Sequence, residues 1–344
     1  MRAAVFRGPR ALEIVDHDEP RAGEHDVVVA VRACGVCGSD LHAFVEGGPV
    51  VLPGQVMGHE FAGEVIEVGG GVRDIDVGDR VAGLPIVACG ECRRCVSGRR
   101  SLCDRWIGRS IGFGLPGAFA ERVRIPDAVL GTNVHRLPDH VSYPAGALAE
   151  PLAVAVRAVD QSGARPGQAA VVLGLGSIGL QIVQVLRARG ITQIVGVNRS
   201  KLRRDVATRL GVVTVAGGPG VVERIGQALA GREADVVFEA SGVSDLVQTT
   251  LEVAAPGGVV VLVGVYGSDA VISPVLVLLK ELTLRGSSTY MPSQFAEAVD
   301  LLASGRVEAD PLITHRRGLE DTAAAFEDQL HPSRAVKAIV EIGD

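Results

Sequence analysis

The chain has 344 residues, of which 47% are hydrophobic, 22% charged and 3% aromatic, with a formal net charge of −6. That length exceeds one typical core and predicts two domains, and the acidic balance argues against a general binder of nucleic-acid backbones. No apolar run reaches the ~20 residues of a membrane span, and MRAAVFRGPRALEIVDH lacks the apolar stretch of a secretory leader, so a cytoplasmic protein with reduced cysteines is expected.

Glycine and proline punctuate the first half. Residues 27–32 (VVVAVR), 61–68 (FAGEVIEV) and 78–81 (GDRV) read as short strands joined by tight turns, predicting a barrel-like β domain. Near Pro144 the texture changes, and residues 145–159 are helical in composition despite Pro151. Residues 169–173 (AAVVL) form a continuous apolar run, as expected of a strand buried on both faces. A helix over 180–189, a strand at 194–197, a helix over 201–210, a strand at 235–240, a further helix and a strand at 259–265 follow. Strand alternating with helix predicts a parallel sheet. The tail beyond Arg285 returns to mixed texture and ends in the strand-like AVKAIVEI.

Gly174, Gly176 and Gly179 form G-x-G-x-x-G between the buried strand and the next helix. In that context the first glycine permits the turn, the second lets backbone approach a pyrophosphate, and the third lets helix and strand pack closely. The helix N-terminus favours the anion. About 20 residues on, a site for unphosphorylated adenosine ribose would place a carboxylate. Asn198 stands there, followed by Arg199, Ser200 and Lys201. An amide does not repel a 2′-phosphate, and an adjacent arginine can pair with one. The pattern favours NADP(H), with NAD(H) possible. The competing reading is a basic, solvated loop.

Four of the six cysteines, Cys89, Cys92, Cys95 and Cys103, lie in CGECRRCVSGRRSLC. The last spacer is seven residues and Asp104 follows, unlike the C-x3-C-P ending of an iron–sulfur run. Four thiolates in one lobe suit a closed tetrahedral zinc that fixes structure without catalysing. A second constellation has a different character. Cys37 in CGVCGSDLH, His59 in GHEFAGEVIEVG and Glu150 in AEPLAV would together give an open zinc site, although sequence distance alone does not assemble them.

These motifs, with GLGSIG and the GG-x4-VG of residues 257–264, occur together and in order along nearly the whole chain. So arranged, the chain resembles the zinc-containing medium-chain alcohol dehydrogenases, near the polyol, threonine and secondary-alcohol branches. The resemblance implies an α/β fold: a β-rich GroES-like catalytic domain (residues 1–150 and 287–344) and a doubly wound Rossmann domain (151–286). It implies two zinc ions per chain. Cys37 and His59 would be ligands of the catalytic one, with Glu150 or Glu60 as the carboxylate. Asp40 would orient His59, and Ser39 and His42 would relay a proton. Gly38 replaces an arginine that other members set on the pyrophosphate, and Lys337 is the candidate for that charge. Ser177, Ile178, Ser241, Gly264, Val265 and Ser287 complete the implied cofactor contacts. The implied partners are an alcohol or carbonyl substrate and further copies of the chain in a homodimer or homotetramer. Neither nucleic acid nor membrane is implied.

The implied chemistry is hydride transfer between an alcohol carbon and a nicotinamide ring. Its rivals are a zinc-free quinone reductase of the same fold, an iron–sulfur redox protein, and a non-catalytic NADP(H)-binding or regulatory protein. Cys34 reads as a small buried hydrophobe, and His17, His25, His135, His140, His315 and His331 as surface residues outside any motif. Trp106 lines the cleft or packs on the cysteine lobe. Tyr266 and Tyr290 have no assigned place.

Overall fold

The chain was analysed as a computed structural model that describes residues 1–48 and 51–343. The long strand Val27–Gly35 is apolar on both faces and anchors a seven-stranded sheet. Its antiparallel partners are Glu60–Val68, Arg122–Ile125 and, from the end of the chain, Lys337–Glu341. Ile313–Gly318 extends that sheet on one side, and Arg80–Gly83 and Val134–Arg136 extend it on the other. The mixed tail therefore returns to complete the N-terminal sheet. Register brings Glu60 opposite Gly35, with Lys337 close by. A Cβ on Gly35 would meet the Lys337 side chain at 3.0 Å and run into the Glu60 carboxylate, so only glycine leaves these two charged groups room to meet.

The second sheet is parallel and six-stranded, in the order Val213–Ala216, Gln193–Asn198, Ala169–Leu173, Ala234–Glu239, Ala254–Leu262, Thr283–Gly286. Ala169–Leu173 is buried at every residue. Strand order reverses beside it, so the crevice past the carboxyl ends of Ala169–Leu173 and Ala234–Glu239 is where this architecture takes a ligand. The last strand expected from sequence stops early, at Leu262. There the amides of Val263 and Gly264 turn back to donate to Glu239 O at 2.8 and 3.1 Å.

The single helix expected over 145–159 is two, Tyr143–Ala147 and Ala149–Ser162, jointed at Leu148. Pro151 has no N–H to give the carbonyl of Ala147, which breaks one continuous helix, yet it is tolerated in the first turn of the second. Ala149–Ser162 leads from one sheet to the other and packs on Ser177–Ala188 and Pro292–Ala303. One apolar core runs through both, joining Ala33 and Ala62 to Leu152, Val172 and Phe295. Among the described residues no helix is long and apolar enough to cross a membrane.

Candidate active site

Cys37 is the N-cap of the helix Gly38–Glu46, and its amide donates to Asp40 Oδ2 at 3.0 Å. The capping residue thereby fixes Asp40, which is buried. Asp40 Oδ1 lies 3.5 Å from His59 Nδ1. His59 arrives from the segment leading into Glu60–Val68. One ligand atom each from Cys37, His59 and Glu60 lies within 4.8 Å of the others. Burial would lower the His59 pKa, but the carboxylate of Asp40 and the sulfur of Cys37 outweigh it and raise it well above its usual value.

Glu60 is wholly buried and ion-paired with Lys337, whose Nζ also donates to Val36 O at 2.8 Å. Burial would lower the Lys337 pKa, but Glu60 and Cys37 together raise it. The ammonium expected to face the pyrophosphate is thus engaged with Glu60 and Val36. Glu60 Oε1 has no hydrogen-bond partner among the described residues, and the 3.5 Å between Asp40 Oδ1 and His59 Nδ1 is longer than a well-formed hydrogen bond. Unsatisfied buried acceptors cost stability unless something else meets them. A thiol, an imidazole and a carboxylate so disposed fit a zinc ion. Ser39 Oγ is buried and has no partner among the described residues, while His42, one turn along the same helix, is exposed.

Glu150 stands outside the trio, at the start of Ala149–Ser162, and its Oε1 accepts from Tyr290 Oη at 2.7 Å. Burial pushes its carboxyl up to about 7, with His59 opposing and Glu60 adding to the rise. Tyr290, unplaced from sequence, is therefore part of this site. Trp106 packs edge-on against Phe113 at 5.4 Å, and Phe113 lies 4.5 Å from the His59 ring. The tryptophan thus sits one ring removed from the candidate ligand.

Cys89, Cys92, Cys95 and Cys103 also converge, with one sulfur from each within 4.8 Å of the rest. All six cysteines are unpaired. Backbone amides point at the sulfurs: Cys89 N donates to Cys103 Sγ at 3.2 Å, Cys92 N to Cys89 Sγ at 3.3 Å, and Arg105 N to Cys103 Sγ at 3.4 Å. The amide of Cys92 holds the Cys89 pKa below its usual value. Donors aimed at the Cys89 and Cys103 sulfurs favour thiolates there, while burial pushes the Cys95 thiol up to about 12; four sulfurs so clustered fit a closed zinc site.

At the nucleotide cleft Gly174 takes φ 98°, and Gly176 caps the helix Ser177–Ala188. A Cβ on Gly174 would meet Ser241 N at 2.7 Å, and one on Gly264 would meet Glu239 Oε2 at 2.6 Å, so three turns are pressed together here. Glu239 holds them, accepting from Ser241 N at 2.9 Å, Gly242 N at 3.1 Å and Tyr266 Oη at 2.6 Å. Ser177 and Ile178 open the helix, half-buried. Val265 is exposed, and Ser287 Oγ is buried without a partner.

Asn198 Oδ1 accepts from Ser200 N at 2.8 Å, and Ser200 caps the helix Lys201–Arg209. Lys201 pairs with Asp205 at 2.7 Å on the surface, a contact weak enough to rearrange. Arg199 is exposed. The sequence reading missed Arg203. Its guanidinium donates to Ala335 O at 3.1 and 3.0 Å and lies 3.6 Å from a Cβ position on Gly176. Burial pushes its pKa down, and among the described residues it pairs with no carboxylate. An arginine on the first turn after Asn198 was the available signal.

Two family profiles match the chain: "Alcohol dehydrogenase GroES-like domain" over residues 23–139 and "Zinc-binding dehydrogenase" over residues 177–304. The (R,R)-butanediol dehydrogenase of Bacillus subtilis is 34% identical, with 93% of each chain covered. A putative zinc-binding dehydrogenase from Sinorhizobium meliloti 1021, solved bound to NADP, superposes with a TM-score of 0.90 at 34% identity, covering 99% of this chain and 98% of that one. An alcohol dehydrogenase from Escherichia coli CFT073, solved with NADH, gives 0.91 at 26% identity, covering 99% of each. The chain belongs to the zinc-dependent medium-chain polyol and alcohol dehydrogenases, nicotinamide-dependent oxidoreductases acting on alcohols.

Proposed function

We propose that the chain oxidises a secondary alcohol, polyol, amino alcohol or sugar, or reduces the matching carbonyl, preferring NADP(H) over NAD(H) and holding two zinc ions. The observation that carries this reading is the convergence of Cys37, His59 and Glu60 around unsatisfied buried acceptors. These three would hold the catalytic zinc, with Glu150 close enough to feel both His59 and Glu60. The four cysteines would hold the second. Zinc in the open site supplies a Lewis acid for a substrate oxygen, and the nicotinamide supplies the hydride acceptor or donor.

The chain's own residues do the rest. Asp40 orients the His59 ring. Ser39 Oγ lies inside the site and His42 meets solvent one turn away, so with the nicotinamide ribose between them the two would relay outward a proton leaving the substrate hydroxyl. The cleft between the two sheets, lined by residues of 1–150 and 287–344 on one side and 151–286 on the other, holds substrate and nucleotide together. Arg199 and Arg203 offer cations to a nucleotide phosphate. A non-catalytic NADP(H)-binding protein would have no use for a hydroxyl and an imidazole set in series behind a metal site. A reducing, cytoplasmic setting suits the six free thiols. Screening the zinc-loaded protein on alcohols and carbonyls with NADP and NAD, alongside metal analysis, tests this reading. Turnover with at least one secondary alcohol or polyol is expected, and no turnover with any would overturn it.

A further inference from the structure

Among the described residues, Thr289 is the one β-branched residue with a left-handed backbone. Its φ is 55°, a left-handed backbone that a β-branched residue takes only where its surroundings hold it there. Its Oγ1 donates to Ser101 O at 2.9 Å, across 188 residues of chain. Ser101 is buried within the four-cysteine lobe, two residues before Cys103. The neighbours of Thr289 face the other way. Ser287 lies at the carboxyl end of the parallel sheet, its amide donating to Leu262 O at 2.9 Å. Tyr290, next in the chain and buried, donates to Glu150 beside the metal-binding trio.

Four residues thus cross from the nucleotide sheet to the Glu150 carboxylate, and their middle is fastened to the cysteine lobe. We propose that Thr289 is a positioning residue: through the Ser101–Thr289 bond, the four-cysteine lobe sets where Tyr290 holds Glu150. The lobe then has a part in catalysis without touching substrate, and the left-handed turn at Thr289 is what directs Tyr290 inward. This rests on the reading of the Cys37–His59–Glu60 site as catalytic.

The test compares Thr289→Val, which keeps the β-branch and removes the donor, with Thr289→Ser, which keeps the donor, in the full zinc-loaded chain. Three readouts are used: hydrogen–deuterium exchange over 287–291 and 99–103, kcat and KM for alcohol and nucleotide, and the thermal midpoint. Thr289→Val is expected to raise exchange in both segments together and to lower kcat about tenfold, the order one lost hydrogen bond gives. KM for the nucleotide should stay within about twofold, and Thr289→Ser should restore wild-type behaviour. Three results would overturn the proposal: exchange rising only at 287–291, kcat unchanged while the thermal midpoint drops, or Thr289→Ser behaving like Thr289→Val. If the wild-type chain turned over no alcohol, the functional reading would fail, while the exchange comparison would still decide whether the lobe holds the segment.

Discussion

An amide in place of a carboxylate at position 198 has an electrostatic consequence larger than its size. Aspartate there would repel a 2′-phosphate, whereas Asn198 spends its oxygen on Ser200 N and leaves Arg199 free to donate. A charge-assisted hydrogen bond contributes about 1.5–3 kcal/mol, at least tenfold in preference at ~1.4 kcal/mol per decade, and less where water screens Arg199. We predict that Asn198→Asp with Arg199→Ala reverses the ratio of kcat/KM for NADP over NAD; a wild-type ratio already favouring NAD would contradict this. A second prediction concerns His135, expected at the surface but buried, because its ring packs 5.0 Å from that of Phe295. Burial holds its pKa below the usual value, so the unfolded chain takes up a proton that the folded chain refuses. Stability is then full above about 6.5 and falls as pH drops through that value toward the depressed folded one. Thermal midpoints of His135→Gln should decline less steeply than wild type over that acid limb; parallel curves would count against it.

At the level of the element, legibility followed distance along the chain. The G-x-G-x-x-G turn and the cysteine lobe are written in adjacent residues, each with a local physical demand, and both stand in the structure as sharp turn and sulfur cluster. Ala169–Leu173 was read to the residue because an apolar run has one use in a parallel sheet. What the sequence concealed depends on partners far away. The sequence reading ran one helix through Pro151 and missed the joint at Leu148, Tyr290 gains meaning only from Glu150, and Lys337 from Glu60. Arg203 carries no motif of its own. The lobe gives the third prediction. Cys103→Ser should reduce zinc from two ions per chain to one and lower the thermal midpoint, because a metal bound only by the folded state contributes its binding energy to folding. Its kcat should fall less than that of Cys37→Ser. Unchanged zinc content would refute a four-thiolate site.

For the whole molecule, an edge and a patch point beyond the single chain. Thr283–Gly286 borders the six-stranded sheet. Beside it the helix Pro274–Leu279 buries none of its residues, with Leu278 73% and Leu279 75% exposed. Unpaired sheet edges and contiguous apolar surface are covered in stable proteins, and a second copy would cover both by two-fold symmetry. Light scattering at micromolar concentration should report a dimer or tetramer, and Leu278→Glu with Leu279→Glu should shift it toward monomer; a wild-type monomer would exclude this surface as an interface. One site, built from Cys37, His59 and Glu60, is proposed to carry alcohol–nicotinamide hydride transfer. Its most direct test is the rate of NADP reduction by secondary alcohols and polyols, measured side by side for wild type and Cys37→Ser with the cysteine-lobe zinc retained in both. Wild type should turn over at least one alcohol and Cys37→Ser none detectably; a Cys37→Ser rate equal to wild type would contradict the account.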